Sequence, residues 1–191
     1  SIDIGIRKRY SKFLYFDVSA FYLAYQDRIG ALVRYDTILF KDYRFRTNVS
    51  DSRTIGLEAL IELEILKWIN KNAKSSLQYF LSASLTDGRY INTSDPSIRN
   101  KRVELVSPAI IRSGLKFKKN QWNFSVQYSY TAKHYSDATN AEFSSTAVIG
   151  AIPSYSVFDF FASYSFKKFQ LELNLNNILN NKYYTRRATA Y

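Results

Sequence analysis

The sequence predicts an all-β protein, with about eight strands of an antiparallel up-and-down transmembrane β-barrel. Three observations predict this class. Apolar and polar residues alternate with a period of two along most of the chain. The segments that connect the alternating runs are short and long in turn. Aromatic residues, which make up 17% of the chain, gather near the ends of the runs.

The clearest alternation lies between Pro153 and Tyr184. Two runs meet there at Lys167-Lys168. Because successive side chains of a strand point to opposite faces, each run has one apolar and one polar face. The tight basic turn between the runs predicts an antiparallel hairpin. The apolar faces consist of Phe158, Phe160, Ala162, Tyr164 and Phe166 in the first run and Phe169, Leu171, Leu173 and Leu175 in the second.

Six further runs precede this hairpin. The run from 54 to 66 is rich in Leu and Glu, so its composition also favours a helix. Its period is two, and we predict a strand because periodicity is the stronger signal. Pro108 is unfavourable in a central strand and predicts an interruption near the loop end of its run. The predicted strands lie at about 2–10, 14–23, 54–66, 77–86, 103–117, 122–130, 158–166 and 169–176.

The connections between these runs alternate in length. In consecutive antiparallel strands, alternate connections lie at opposite ends of the sheet. One end therefore has tight turns and the other has long loops, as in outer-membrane barrels with short periplasmic turns and long extracellular loops. We predict short connections at 10–12, 67–72, 118–120 and 167–168, and long ones at 36–46, 87–101 and 134–152.

The positions of the aromatic residues suggest two girdles at the two membrane interfaces. The run from Trp122 to Tyr130 has about the 9–11 residues that a tilted strand needs to cross a bilayer. A soluble β-sandwich with aromatic residues in its core is the competing interpretation. The aromatic residues near short turns are Trp68, Phe117, Trp122, Phe166 and Phe169, and those near the opposite ends are Tyr128, Tyr130, Tyr183 and Tyr184.

Composition narrows the functional classes. The mean hydropathy of −0.28 does not argue against a barrel, because only alternate residues of a barrel strand face lipid. The net charge of +11 makes an anionic partner plausible, but the basic residues form no dense tract and no RNA-binding signature, so we expect no nucleic-acid partner. The chain has no Cys and one His, His134, which we expect to be an exposed polar residue near a loop. No catalytic constellation is visible, and an enzyme is not expected.

Several segments resemble TonB-dependent outer-membrane receptors. In that family a strand that begins near a Pro and an Asp, here Pro153 and Asp159, leads to a motif of the form Asn-Asn/Leu-Phe-Asp-x-x-Tyr. Here the motif reads NNILNNKYY from 176 to 184, with Ile178-Leu179 in place of the commoner Leu-Phe. DIGIRKRY, FDVSAFYLAYQDRI and TIGLEALIEL resemble upstream strands of the family. Thr185-Arg186-Arg187 and the spacing over 148–155 are similar to the ferric citrate receptor branch.

This resemblance implies an incomplete segment of a barrel of about 22 strands that a plug domain fills. Residues 1–191 would be a partial barrel domain without the plug and the last strand. The family function would be uptake of an iron chelate, ferric citrate or a siderophore, across the bacterial outer membrane. The implied partners are TonB, through the plug, the ferric chelate, and outer-membrane lipid or lipopolysaccharide. The iron chelate would be transported, and no covalently bound cofactor is expected.

The resemblance also places the basic loop residues on the extracellular side. A citrate-like iron complex is anionic, and Arg can bind carboxylates in bidentate fashion. The ligand-binding candidates are Arg34, Lys41, Arg44 and Arg46 in the first long loop, Arg99, Lys101 and Arg102 in the second, and Arg186 and Arg187 after the last strand. Lipopolysaccharide phosphates or water are the other possible partners of these side chains. Groups expected to face the barrel interior, in contact with the plug or water, are Glu58, Glu62, Glu64, Glu104, Arg112, Asp159 and Glu172.

Two alternatives to a receptor fragment remain at this point. One is a complete small barrel of eight strands with a structural or adhesive role in the outer membrane. The other is a soluble ligand-binding β-sandwich. Pairing between the first and last strands would support the small barrel.

Overall fold

The structure is a computed structural model that describes residues 1–93, 95–143 and 149–187, without the side chains of residues 31, 33, 42 and 44. Within these ranges, one antiparallel sheet of eight strands contains most of the chain. Its strands follow one another in chain order, and the two edge strands are not paired with each other there. The predicted up-and-down antiparallel arrangement is therefore confirmed, and the sheet is open.

The strands of the large sheet are β1 (Ile2–Arg9), β2 (Leu14–Asp36), β3 (Lys41–Glu64), β4 (Ser76–Ile91), β5 (Ala109–Lys119), β6 (Trp122–Thr131), β9 (Tyr155–Phe166) and β10 (Phe169–Leu175). A second, two-stranded sheet pairs β7 (His134–Tyr135) with β8 (Ala151–Ile152). The short helix α1 (Ile65–Ile69) follows β3.

The two faces of the large sheet differ in polarity, as the alternation predicts. Apolar residues pair with apolar residues from strand to strand and form continuous rows on what we call the apolar face. Many of these side chains remain uncovered; Ile4 is 74% exposed and Leu171 is 70% exposed. One such row runs through Leu14, Leu63, Tyr79, Leu115, Val126, Phe160 and Leu175.

The opposite side, which we call the polar face, is concave. It encloses a recess of about 690 Å³ whose lining includes Asp17, Ser19, Glu58 and Ser82. Arg7 Nε lies 2.6 Å from Asp17 Oδ2 at this recess. This distribution is typical of a barrel wall with lipid on one side and water or protein on the other.

The predicted long connection at 36–46 is wrong. β2 and β3 continue as a long hairpin, and only residues 37–40 turn the chain. Asp36 Oδ1 closes this turn, since it accepts hydrogen bonds from the backbone N–H groups of Ile38 at 2.8 Å and Leu39 at 2.9 Å. A strand that extends beyond a bilayer would not need one apolar face, which would explain why the sequence pattern blurs here.

The other connections agree better with the sequence. The turns at 120–121 and 167–168 are tight. They lie at the same end of the sheet as the connections at 10–13 and 65–75, and we call this end the turn end. The opposite loop end has the segments 92–108 and 132–154. The expected interruption at Pro108 is confirmed, because β5 begins at Ala109 and not at Val103. The strand prediction for 54–66 holds up to Glu64, after which α1 forms.

No helix in the described part of the chain is long and apolar enough to cross a membrane.

The tightly packed core of the described residues lies at the loop end. Tyr90, Ile98, Val103 and Ala138 are almost completely buried and form one cluster. Leu32, Val49 and Val106 pack against this cluster. The core therefore joins the β2–β3 hairpin to the loops that follow β4 and β6, and it holds the loop end in a fixed shape.

Candidate functional site

The basic residues of the β2–β3 hairpin stand near its tip. The guanidinium of Arg34 stacks over the Phe45 ring at 4.3 Å. Lys41 is the first residue of β3 and is exposed, as is Arg46. The side chain of Arg44 lies outside what the structure describes. This group therefore presents cations to solvent, with Arg34 held in place by an aromatic face.

The second group lies in the loop after β4. Arg99 and Lys101 are exposed, and Arg99 Nη2 donates to the Thr93 carbonyl at 3.3 Å. The backbone of Arg102 is fixed by the Asn140 side chain, which accepts from its N–H at 2.6 Å and donates to its carbonyl at 2.8 Å. The Asn140 bridge ties this loop to the loop after β6.

The third group, Arg186 and Arg187 after the last strand, has two members that differ in exposure. Arg186 is exposed, whereas Arg187 is half-buried. Arg187 donates to the Ala151 carbonyl from Nε at 3.0 Å and from Nη2 at 2.9 Å, and its Nη2 also contacts Tyr184 Oη at 3.0 Å. Its guanidinium lies against Gly150, where an added Cβ would be 3.1 Å from Arg187 Cζ. Arg187 thus braces residues 150–151 with its donors.

Each group of basic residues is held by its own segment. Hydrogen bonds and ring contacts among the described residues join no member of one group to a member of another. The loop end therefore carries three separate groups of basic side chains around one packed core. This arrangement can attract an anion from several directions, and an Arg side chain can bind a carboxylate through two donors.

Sequence reasoning missed a polar network beside the loop-end core. Tyr90 Oη donates to a carboxylate oxygen of Glu104, and Arg28 also interacts with this hydroxyl. Burial, followed by the hydrogen bond to Glu104, raises the pKa of Tyr90 above its ordinary value. The Arg28 Nε and Ser52 Oγ atoms are buried without hydrogen-bond partners among the described residues. A buried donor without a hydrogen-bond partner is energetically unfavourable.

Glycine makes room for this network. A Cβ on Gly30 would be 2.6 Å from Tyr90 Oη and 3.0 Å from Glu104 Oε1. The local register is irregular, because the β2–β3 pairing shifts between Tyr25 and Ile29. Such shifts re-aim side chains and cannot be read from alternation. The only signal in the sequence was a glycine within the strand, Gly30, two positions after Arg28.

Glu104 departs from its predicted position. It precedes β5 and faces Tyr90 instead of standing on a strand of the sheet. The other groups predicted for the barrel interior do lie on the polar face by register. They are Glu58, Glu62, Glu64, Arg112, Asp159 and Glu172.

His134 is buried, contrary to the exposed position expected for it. It is 7% exposed, and its Nδ1 lies 3.1 Å from the Ala132 carbonyl. The loop folds back over it through the pairing of β7 with β8, which the sequence pattern does not reveal. The described residues contain no cluster of three or more His, Cys, Asp or Glu side chains suited to a metal ion.

The Asn-rich motif after β10 has a structural explanation. Asp159 Oδ1 accepts from the Asn177 backbone N–H at 2.8 Å. The Asn177 side chain then makes two hydrogen bonds to the Asn181 backbone, in which Nδ2 donates to the carbonyl and Oδ1 accepts from the N–H, both at 3.0 Å. Asn181 Nδ2 reaches the Ser156 carbonyl at 2.9 Å. These bonds fix the chain against β9 as it leaves the sheet.

The two tyrosines at the end of this motif, Tyr183 and Tyr184, do not join the apolar face as a girdle. Tyr183 stacks on Tyr155 with ring centroids 4.6 Å apart, and Tyr155 shares the face of Asp159 by strand alternation. Tyr184 lies beside the Arg187 guanidinium. At the turn end the aromatic residues do gather on the apolar face, where the ring centroids of Trp122 and Phe124 are 5.5 Å apart.

A family model described as "TonB dependent receptor-like, beta-barrel" matches residues 1–178. The chain belongs to this family of receptor β-barrels. The interpretation as a soluble β-sandwich is therefore wrong, and the fold expected from the resemblance is confirmed. A search of curated proteins found no significant match.

Solved receptors share the fold. The chain is similar to the unliganded ferric citrate transporter FecA, with 16% identity and a TM-score of 0.75 over 95% of this chain and 26% of FecA. It is also similar to the copper transporter OprC, with 16% identity and a TM-score of 0.71 over 98% of this chain and 27% of OprC. For the siderophore receptor PiuA from Acinetobacter baumannii, the identity is 20% and the TM-score is 0.67 over 97% of this chain and 25% of PiuA. The chain thus spans about a quarter of the length of these receptors.

Proposed function

We propose that this chain forms part of a bacterial outer-membrane receptor that takes up an iron chelate with energy from TonB. The family membership and the division of the sheet into an apolar and a polar face are the main support. The apolar face would contact lipid, and the polar face would line the barrel interior. TonB would act through a plug domain that fills this interior.

We propose further that the ligand is an anionic chelate of the ferric citrate type. The exposed cations at the loop end support this ligand class, because they would raise the local concentration of an anion and bind its carboxylates. The exposed members are Arg34, Lys41, Arg46, Arg99, Lys101 and Arg186. Arg187 would mainly hold the Ala151 backbone, and the backbone of Arg102 is held by Asn140.

The solved receptors of similar fold do not share one substrate, since their names specify ferric citrate, copper and siderophores. Charge at the loop end is therefore the stronger argument for the chelate class. The structural or adhesive small barrel is disfavoured as a function, because β1 and β10 are not paired in the described residues.

Uptake of radioactive iron supplied as ferric citrate tests this proposal. The receptor would be expressed from its complete gene in cells that lack other routes for ferric citrate. The test variant carries Arg34→Gln, Arg46→Gln, Arg99→Gln and Arg186→Gln. The control variant loses four exposed cations at the turn end, through Lys12→Gln, Lys71→Gln, Lys74→Gln and Lys168→Gln.

We expect uptake by the test variant to fall at least about tenfold at low chelate concentration, which corresponds to about 1.4 kcal/mol of binding free energy. The control variant should keep its uptake at an equal amount of receptor in the outer membrane. Equal uptake by both variants would refute the role of the loop cations. No uptake of ferric citrate by the unmodified receptor, together with uptake of another chelate, would refute the citrate-type ligand.

A further inference from the structure

Lysines are concentrated at the turn end of the sheet. The segments 10–13, 65–75, 118–121 and 167–168 contain Lys but no Asp or Glu. Their lysine side chains are exposed, apart from that of Lys67, which is half-buried. We call these residues the lysine rim; its members are Lys12, Lys67, Lys71, Lys74, Lys118, Lys119, Lys167 and Lys168.

The rim has a regular spacing, because it follows the order of the strands. The strands of the large sheet pair in chain order, so the four turns lie side by side along one end of it. Neighbouring turns are two strands apart, which places them about 10 Å from each other and spreads the rim over about 30 Å. A small anion would contact one or two of the turns, whereas an extended polyanion can contact all four.

The charges of the rim are not compensated within the described part of the chain. No ion pair there includes a rim lysine. The carboxylate of Glu64, which precedes the second of these turns, already accepts hydrogen bonds from Ser76 Oγ at 2.7 Å and from the Leu77 N–H at 2.9 Å. At physiological salt, charges are screened over about 8 Å, so the lysines of a single turn repel each other. A bound anion would remove this repulsion.

Lys167 carries its charge in a backbone conformation that suits other residues better. Its φ is 51°, in the left-handed region, where Asn and Gly are favoured. Asn120 occupies the same position in the neighbouring two-residue turn, with a φ of 52°. Turn geometry therefore does not explain a Lys at position 167, whereas a requirement for positive charge does.

The rim lysines belong to both faces of the sheet. Lys118 pairs with Ser76 and Asn123 on the polar face, and alternation places Lys119 on the apolar face. Lys12 lines a recess of about 180 Å³ on the polar face. Lipid headgroups outside the barrel would reach only the apolar side, whereas a polymer that lies across the turns can meet lysines of both sides.

A polymer also fits the chemistry of the rim better than a folded protein does. Lys is a strongly hydrated point charge on a flexible stem, and interfaces between proteins are depleted in it. The four rim segments contain no Arg, the residue that binds carboxylates in a fixed bidentate geometry. Flexible cations at regular intervals therefore match carboxylates that repeat along a chain without one fixed shape.

We propose that the lysine rim binds the carboxylates of peptidoglycan. The inference rests on the proposed outer-membrane orientation, in which the short turns face the periplasm, but it concerns attachment of the barrel to the cell wall and not uptake. The peptide stems of peptidoglycan carry free carboxylates that repeat along each glycan strand. Each turn would bind one or two of them weakly, and the four turns together would hold the polymer by multivalency.

Cosedimentation of the complete receptor, in a neutral detergent, with purified peptidoglycan sacculi tests this site. The test variant loses one lysine from each turn, through Lys12→Gln, Lys71→Gln, Lys119→Gln and Lys167→Asn. The control variant loses four exposed cations at the loop end, through Lys41→Gln, Arg53→Gln, Lys101→Gln and Lys182→Gln. Resistance of each folded barrel to unfolding in cold detergent, judged by gel mobility, verifies its fold.

Two changes to the polymer test the ligand chemistry. In one, the stem carboxylates of the sacculi are converted to amides. In the other, single soluble muropeptides compete with intact sacculi. Vesicles that contain phosphatidylglycerol serve as a separate probe, because their headgroups offer the same sign of charge without a polymer of carboxylates.

We expect the test variant to bind sacculi at least tenfold more weakly, with the control variant unchanged. Amidated sacculi should bind the unmodified receptor as weakly as untreated sacculi bind the test variant. Single muropeptides should compete only at a carboxylate concentration about a hundredfold higher than that of sacculi, since they lack multivalency.

Equal sedimentation of the test and control variants would overturn the proposal, as would binding that survives amidation. Binding to the vesicles that depends on the rim lysines, without binding to sacculi, would assign the rim to lipid headgroups and would also overturn it. The assay contains no ferric citrate, so a failure of the uptake proposal and a failure of this one are separate results.

Discussion

A lysine at Val126 tests which face of the sheet contacts lipid. Val126 lies in the middle of β6, pairs with Leu115 and Phe160, and remains 42% exposed. A bilayer would cover the exposed part. A Lys at the midplane of a lipid-facing barrel strand costs about 2–4 kcal/mol. We therefore expect Val126→Lys to lower the free energy of unfolding of the complete receptor by about 2–4 kcal/mol.

The neighbouring residue provides a matched control. Gln127 stands one position along β6 and faces the polar side, where its Nε2 lies 3.3 Å from Ser129 Oγ. Gln127→Lys adds the same charge to a surface with water or protein contacts, and its effect should stay below about 1 kcal/mol. Both variants would be refolded into lipid vesicles and unfolded with guanidinium chloride, and the midpoints compared at an equal slope.

The outcome depends on the difference between the two variants. A smaller loss for Val126→Lys than for Gln127→Lys would mean that the assignment of the two faces is reversed. Equal losses would mean that neither face contacts lipid at this depth. Either result would refute the membrane-spanning interpretation of β6.

Two further predictions concern the loop end. Gly30→Ala places a Cβ 2.6 Å from Tyr90 Oη, and we expect this overpacking to destabilise the loop-end core by about 1–3 kcal/mol, seen as faster amide hydrogen exchange around Tyr90. The hydrogen bond with Lys133 lowers the pKa of Glu142, and the same bond raises the pKa of Lys133. We expect the loop to resist protease better in the unmodified chain than in the Glu142→Gln variant at pH values above the ordinary pKa of Glu. This advantage should disappear as the pH falls through the lowered pKa of Glu142. It should also disappear as the pH rises through the raised pKa of Lys133.

Each of these predictions has a control and a contrary outcome. At Gly88 an added Cβ would lie 3.2 Å from Thr54 Oγ1, so Gly88→Ala should increase exchange less than Gly30→Ala. The reverse order would contradict the crowding argument. For the loop pair, protease resistance that differs from the Glu142→Gln variant by the same factor at every pH would mean that the ion pair does not stabilise the loop.

Alternation was sufficient to predict the part of the sheet that has one apolar and one polar face. The run from Phe158 to Phe166 and the turn at Lys167-Lys168 appear in the structure as predicted, because each face of such a strand meets a single kind of environment. Alternation did not predict the strands at the loop end, past the rows of the apolar face. From about Asp36 to Arg46 the two faces meet water and other loops, so the hairpin there has no alternating signature. Sequence reasoning also missed Arg28 and Tyr90, which a register shift brings together.

The sequence by itself determined the fold class, the number of strands in the sheet and the polarity of its two faces. These features repeat with a period of two, and they depend only on near neighbours along the chain. The tertiary structure decided how the loops pack. Tyr90, Val103 and Ala138 come from three distant segments, and their burial fixes where the cations stand. It also placed Arg53, Arg89 and Arg102 in one row, because cross-strand neighbours are set by register and not by spacing along the sequence.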